Sequence, residues 1–329
     1  MSLIERALAR VRGAGSEPQP VRAAIDLPMA VSAVRESSAA LTKATEEEPG
    51  EQRFSKIVQV DPTVLRAAGL LPPVQREHDV ARQYRRIKLP LLEQARKEGA
   101  SGDARARLIF VSSALPGEGK TFSTVNLAFS MAREKDIDVL LIDGDVAKPH
   151  VTRAFSLDGE PGLVNALMDE STDPESLIIG TDIPGLTILP AGAFSEDSAT
   201  ELLASNRMRQ VVEQILRSRR RRIVVIDSPP LLLTTESKVL AGLAGQIIIV
   251  VKAGSTPQHA VFESLDMLGE EAAIGFILNQ AQASIADKYV GYPGYGSYAS
   301  YGGYGTYGTS SFDGSLPGSP RGGAAGAGR

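Results

Sequence analysis

The chain of 329 residues has no cysteine and no tryptophan. Without cysteine, disulfides and thiolate metal sites are excluded. Its three histidines, His78, His150 and His259, are scattered without zinc spacing and read as surface or cap residues. Charge of neither sign dominates. The 35 basic and 39 acidic residues leave a net charge of −4, which does not suggest a nucleic-acid partner. Long hydrophobic runs are also missing: residues 239–251 form the longest candidate, which is short and contains Gln246. At the N-terminus, Glu5, Arg6, Arg10 and Arg12 interrupt the apolar pattern, so no signal peptide is expected. The expected location is cytoplasmic.

What is present is organised around residues 108–131. They read L-I-F-V-S-S, then A-L-P-G-E-G-K-T, then F-S-T-V-N-L-A-F-S-M. This order predicts a strand, a glycine-rich phosphate loop and a helix, the context a Walker A motif requires. Gly117 and Gly119 let the loop turn its N–H groups inward, where they and the helix N-terminus form an anion nest. Lys120 is placed to reach β- and γ-phosphates, and Thr121 to offer an oxygen to Mg²⁺. Pro116, Gly117, Glu118, Gly119, Lys120, Thr121 and Phe122 are the candidate ATP-binding residues of the loop.

Downstream, apolar strand candidates alternate with helices: 108–112, 139–142, 186–189, 223–226, 247–251 and 274–278 against helical stretches 121–135, 200–216 and 257–268. The pattern predicts an α/β fold, a mostly parallel sheet covered by helices on both faces. Ligands of such sheets sit at the carboxyl ends of the strands. Two of those ends bear acids, Asp143-Gly144-Asp145 and Asp227-Ser228-Pro229-Pro230. Three carboxylates beside a phosphate loop suit a hard divalent ion, so Thr121, Asp143, Asp145 and Asp227 are candidate Mg²⁺ ligands. Asn279 ends the last strand and reads either as a neighbour of the site or as a turn residue.

Upstream, residues 76–88 predict a helix that Pro90 ends or kinks, followed by a helical 91–97 and a turn at 99–103, together a helical hairpin. Residues 2–12 predict a short amphipathic helix, docked or frayed. Residues 13–50 read as a mostly disordered linker. The run of residues 217–222, R-S-R-R-R-R, suits a helix C-terminus, with a docking site for anionic lipid or phosphate as the other reading. The tail carries Tyr289, Tyr292, Tyr295, Tyr298, Tyr301, Tyr304 and Tyr307 at a period of three, in a Gly/Ser/Thr background. Such a segment lacks the aliphatic bulk to pack and reads as disordered. Next to an ATP site it reads as a substrate array. Self-association is the competing reading. The expected division is 1–75 for the N-terminal helix and linker, 76–284 for the P-loop domain and 285–329 for the tail.

Several motifs together resemble the bacterial tyrosine kinases (BY-kinases) of exopolysaccharide export, in particular the exosortase-associated tyrosine autokinase branch. They are M-S-L-I-E-R-A-L at the start, L-R-A-A-G-L-L-P-P at 65–73, Y-R-R-I-K-L-P-L-L at 84–92, P-G-E-G-K-T, L-L-I-D-G-D-V-A-K-P and V-V-I-D-S-P-P. The resemblance implies a deviant P-loop fold and ATP- and Mg²⁺-dependent autophosphorylation of the tyrosine cluster. It makes Lys120 and Thr121 the Walker A groups, Asp143 and Asp145 part of a second Walker motif, Asp227 the Walker B acid and Asn279 a neighbour of adenine. It also implies a homo-oligomer at the inner face of the membrane, a membrane-embedded chain-length co-polymerase as partner, and a cognate tyrosine phosphatase. A carboxylate must orient the tyrosine hydroxyl or take its proton, and either Asp143 or Asp145 can fill that role.

The chain departs from relatives in three places. Ala147 and Lys148 stand where many have two basic residues. Glu236 stands where many have Asp. Arg82, Arg85 and Lys88 replace an E-x-x-R-x-x-R pattern used in ring assembly. Two other functions compete. A partition-type ATPase places a lysine where this chain has Leu115, and a nucleotide-dependent scaffold would use the tail only to self-associate.

Overall fold

The computed structural model describes residues 54–192, 199–269 and 272–281. The expected N-terminal helix, the linker 13–50 and the tyrosine tail lie outside the described residues. Eight strands form one sheet: β1 (Ile57–Val58), β2 (Leu108–Ser113), β3 (Asp138–Asp143), β4 (Ile179–Thr181), β5 (Leu186–Leu189), β6 (Arg222–Asp227), β7 (Gln246–Lys252) and β8 (Ala273–Asn279). Their order is β1-β4-β5-β3-β6-β2-β7-β8. All neighbours are parallel except β4 and β5. The helices are α1 (Pro62–Ala67), α2 (Glu77–Ser101), α3 (Lys120–Ala132), α4 (His150–Ala154), α5 (Leu163–Met168), α6 (Ala199–Leu203), α7 (Asn206–Ser218), α8 (Thr235–Ala241) and α9 (Gln258–Asp266).

All six strands predicted from apolar runs are present. Strands β2 and β6 are buried at every position, as expected for a sheet covered on both sides. The strand period of two sorts their side chains into two cores. Leu108, Phe110, Leu140, Ile142, Val224, Ile226, Ile247 and Ile249 pack on one face with residues of α5, α7 and α8. Ile109, Val111, Val139, Leu141, Ile223, Val225, Ile248 and Val250 pack on the other with residues of α1, α2 and α3. Each such aliphatic side chain contributes roughly 1.5–3 kcal/mol when fully buried.

The ordered fold begins upstream of the expected boundary at residue 76. Strand β1 pairs with β4, and Phe54 lies so close to Gly180 that a Cβ there would meet its ring at 2.6 Å. In α1, Asp61 caps the helix by accepting from the Thr63 amide at 2.7 Å, Pro62 occupies the first turn, and Leu65 is buried. The sequence D-P-T is a readable helix start, with a capping acid and a proline that has no amide hydrogen to leave unpaired.

The expected helical hairpin is instead one continuous helix, α2, with Pro90 inside it. Pro90 is exposed, while Val80, Tyr84, Lys88, Leu92 and Ala95 form a buried stripe on both sides of it. That stripe packs on α3: Tyr84 meets Phe122 edge to face at 6.4 Å, and Lys88 Nζ donates to the Ser130 carbonyl at 2.6 Å and pairs with Glu134 at 2.7 Å. Packing across the proline offsets its intrinsic helix penalty, about 3 kcal/mol. Lys88 is therefore engaged inside its own chain. The helix expected over 200–216 is also divided, because Ser205 caps a new helix start and accepts from the Met208 amide at 3.4 Å.

The basic run closes α7. Arg222 is buried and paired through both nitrogens with Glu175, while Arg107 donates to the carbonyls of Leu216, Arg219 and Arg222 and so caps the helix end. Burial pushes the Glu175 carboxyl up, but its bonds to Arg222 and Ser218 outweigh this and hold it below its ordinary value. The pair therefore stabilises the fold above the ordinary carboxylate range, and that contribution is lost as pH falls through the lowered pKa. Glu175→Ala leaves a buried guanidinium without its counter-charge and is expected to lower the unfolding free energy by about 2–4 kcal/mol at neutral pH. Urea denaturation of parent and variant checks this, and a difference within error would mean that the pair is structurally idle.

Candidate active site

The carboxyl ends of β2, β3 and β6 meet at one sheet edge. Asp143 and Asp227 are register partners across β3 and β6, and Asp227 faces Val111 of β2. Gly144 makes the approach possible, because a Cβ there would lie 2.8 Å from the Asp227 carbonyl. Its own amide donates to that carbonyl at 2.8 Å. The loop after β2 turns through Gly117 and Gly119, whose φ values of +76° and +91° lie in the left-handed region.

Glu118, an expected loop residue, is buried and holds the loop's shape. One carboxylate oxygen accepts from the Leu115 amide at 2.8 Å and the other from the hydroxyl of Thr256, beyond β7. Asn279 lies on the loop itself. Its Nδ2 donates to the Glu118 carbonyl at 2.8 Å, and the same atom would be 2.0 Å from a Cβ on Gly119. Pro116 and Gly117 are exposed, and Phe122 lies between the loop and Tyr84.

The charged groups then pair off. Lys120 Nζ is 2.8 Å from Asp145 Oδ2. Asp227 accepts from Thr121 Oγ1 at 2.8 Å and from Thr124 Oγ1 at 3.0 Å. Asp143 Oδ2 accepts from both the amide and the hydroxyl of Thr152, at 2.8 and 2.7 Å. The other oxygen, Oδ1, is buried with no partner. Ala147 and Lys148 are exposed, although the Lys148 amide donates to Asp145 Oδ1 at 3.2 Å. Thr124, Thr152 and Thr256 were not singled out from sequence. Thr124 was the accessible one, four positions after Lys120 on the same helix face. Thr152 and Thr256 come from other elements, and only the fold brings them in.

The electrostatics follow from this crowding. Burial raises Asp143 to about 7, with Asp227 adding to the effect and the Thr152 bonds opposing it. Burial likewise raises Asp227, and Lys120 with the threonine hydroxyls offsets this only in part. Burial works against the Lys120 ammonium, but Asp227 and Asp145 more than compensate and raise its pKa.

The donors gathered here are all oxygens, and one buried carboxylate oxygen is unpartnered, which fits Mg²⁺. Among the described residues, no three acidic or histidine side chains form a metal cage by themselves. Also among the described residues, no helix is long and apolar enough to cross a membrane.

The raised pKa of Asp143 predicts a stability profile for the ligand-free protein. The folded state keeps a proton that the unfolded chain releases between its ordinary value of 3.8 and about 7. This contribution is full below the ordinary value and is lost as pH rises through about 7. Between about pH 5 and pH 8 the parent should lose roughly 1–3 kcal/mol more stability than Asp143→Asn. Urea midpoints at the two pH values test this, and parallel profiles would overturn it.

The family described as an AAA domain matches residues 106–267. The tyrosine-protein kinase ptk of Acinetobacter johnsonii is 33% identical over 190 residues, which cover 57% of this chain and 25% of that protein. The succinoglycan biosynthesis transport protein ExoP of Rhizobium meliloti is also 33% identical over 190 residues, covering 56% of this chain and 24% of that protein. The chain thus spans about a quarter of the length of these two curated relatives. Among solved structures, the kinase domain of the Escherichia coli tyrosine kinase ETK is similar with a TM-score of 0.50 at 27% identity, over 56% of this chain and 71% of that one. With the phosphate loop, the two acidic strand ends and the parallel sheet already described, these similarities support a place for the chain among the bacterial tyrosine kinases.

Proposed function

We propose that the chain is an ATP-dependent protein-tyrosine kinase whose tail, Tyr289 to Tyr307, is its own substrate. The observation that carries this reading is the shared sheet edge, where Lys120 is held by Asp145 beside the buried Asp143 and Asp227. A γ-phosphate entering the loop offers Lys120 a more strongly charged partner than one carboxylate. Lys120 then exchanges Asp145 for phosphate oxygens, and Asp145 is released at the point where a substrate hydroxyl arrives. The loop amides and the start of α3 hold the phosphates. A cleft of about 960 Å³ beside the loop, lined in part by Phe122, Leu278 and Asn279, has room for the base and ribose.

A tyrosine hydroxyl has a pKa of about 10 and attacks poorly at neutral pH. Asp145 takes its proton while the tyrosine oxygen bonds to the γ-phosphorus. The bond from that phosphorus to the bridging oxygen breaks, and ADP leaves with the electron pair. Thr121, Asp143 and Asp227 would hold Mg²⁺, directly or through water, and the bound ion neutralises charge on the transferred phosphoryl group. Both acids are buried, but Asp143 is held by Thr152 while Asp145 is freed when Lys120 turns to phosphate, which favours Asp145 for contact with the substrate.

The name of ExoP and the motif resemblance support a role in exopolysaccharide chain assembly and export. In that role the kinase works at the inner face of the membrane with a chain-length co-polymerase, as a homo-oligomer, opposed by a tyrosine phosphatase. Lys88 is spent on Ser130 and Glu134, so contacts between copies on that helix would fall to exposed Arg82 and Arg85.

Incubation with ATP and Mg²⁺ followed by mass-spectrometric mapping of phosphotyrosine tests the reading. Lys120→Ala should abolish the signal while the melting transition stays cooperative. Asp145→Asn should lower kcat by roughly 10²–10⁴ and change nucleotide affinity far less. Full phosphotyrosine signal in the lysine variant, with contaminating kinases excluded, would sink the proposal. Near-parental rates in Asp145→Asn would move the base role to Asp143.

A further inference from the structure

The opposite edge of the sheet carries the reverse charge. A cleft of about 510 Å³ opens between α2, the turn into β2 and the α7–β6 turn. Its walls bear Arg96, Arg107, Arg217, Arg220 and Arg221 against one carboxylate, Asp136. Leu92, Leu216 and Ile223 supply an apolar floor.

Capping of α7 accounts for only part of this cluster. Arg107 does the capping, and the nearby acids are already taken: Glu175 by Arg222, Asp138 by Arg219 and Glu213 by Arg217. Arg220 and Arg221 have no hydrogen-bonded or ion-paired side-chain partner among the described residues, and Arg96, on a separate element, feels only the longer-range pull of Glu134, which Lys88 already pairs. Burial, and after it the guanidinium groups of Arg222 and Arg220, hold Arg107 below its ordinary pKa. The folded chain therefore gathers like charges that repel one another around a cavity. A bound anion removes that repulsion. Guanidinium groups suit phosphate oxygens in particular, because their planar forks bond them in pairs. The apolar floor suits a ligand whose body is not itself charged.

We propose that this cleft is a second anion site, distinct from the phosphate loop, that takes a phosphomonoester group carried on an apolar body. It lies at the amino ends of β2, β3 and β6, a strand length of about 20 Å from Lys120. It does not depend on the kinase reading. The phosphate can come from a soluble ester or from a lipid headgroup, and one experiment separates them.

Binding is measured in the Lys120→Ala background, which weakens the phosphate loop, and with saturating ADP, which occupies the loop amides that remain. The probes are phenyl phosphate in solution, and phosphatidylcholine vesicles with and without phosphatidic acid. Arg220→Glu/Arg221→Glu changes two exposed, unpartnered side chains, and Arg96→Glu changes one on a different element. Both variants should keep the parental melting temperature and lose at least about tenfold in affinity for the probe that binds. Loss of phenyl phosphate binding identifies a soluble ester as the ligand class. Binding confined to phosphatidic acid vesicles, and lost in the variants, identifies a headgroup. Failure of both probes to bind, or binding that both variants retain, would overturn the proposal.

Discussion

Bringing Asp143, Asp145 and Asp227 to one edge of a covered sheet sets like charges together where water is scarce. Their repulsion is countered by Lys120 and by three hydroxyls from two helices: Thr121 and Thr124 on α3 and Thr152 on α4. The surrounding structure answers to this constraint. Gly144 has no side chain because the ends of β3 and β6 must nearly touch. Glu118 is buried because it stiffens the loop that presents Lys120. Helix α4 is short, yet its Thr152 hydroxyl both donates to Asp143 and accepts from the Ala191 amide beyond β5. The site is built tightly but balanced incompletely, since one oxygen of Asp143 has no partner. That imbalance gives a cationic ligand a reason to bind.

The charge separation extends across the whole sheet. Carboxylates collect at the carboxyl ends of the central strands and guanidinium groups at their amino ends. Parallel strands make this possible, because β2, β3 and β6 all start at one edge and finish at the other. Each edge can then be given its own chemistry without disturbing the aliphatic layers between.

The central sheet was readable because buried parallel strands leave continuous apolar runs, as at 108–112 and 223–226. The principal charged residues were readable because they end those runs or lie in a motif of fixed spacing. Features set by packing were not readable. Pro90 has the local signature of a helix end, and only the stripe from Val80 to Ala95 docked on α3 shows why the helix continues. Strand β1 has two residues and no period, so nothing in its sequence distinguishes it from linker until β4 lies beside it. Ser205 is a legible cap that the longer apolar rhythm around it concealed. Thr152 and Thr256 are unremarkable in sequence, and their roles come from residues far along the chain.

Strand β1 also has a geometric consequence. The chain enters the sheet at one outer edge, through β1, and leaves it at the other, through β8. With seven spacings of about 4.8 Å between them, entry and exit are held roughly 34 Å apart. A fluorophore on each outer strand would report a near-constant distance as long as the body stays folded. A circularly permuted version would need a bridge of at least about ten extended residues to join the two points without pulling β1 off the sheet.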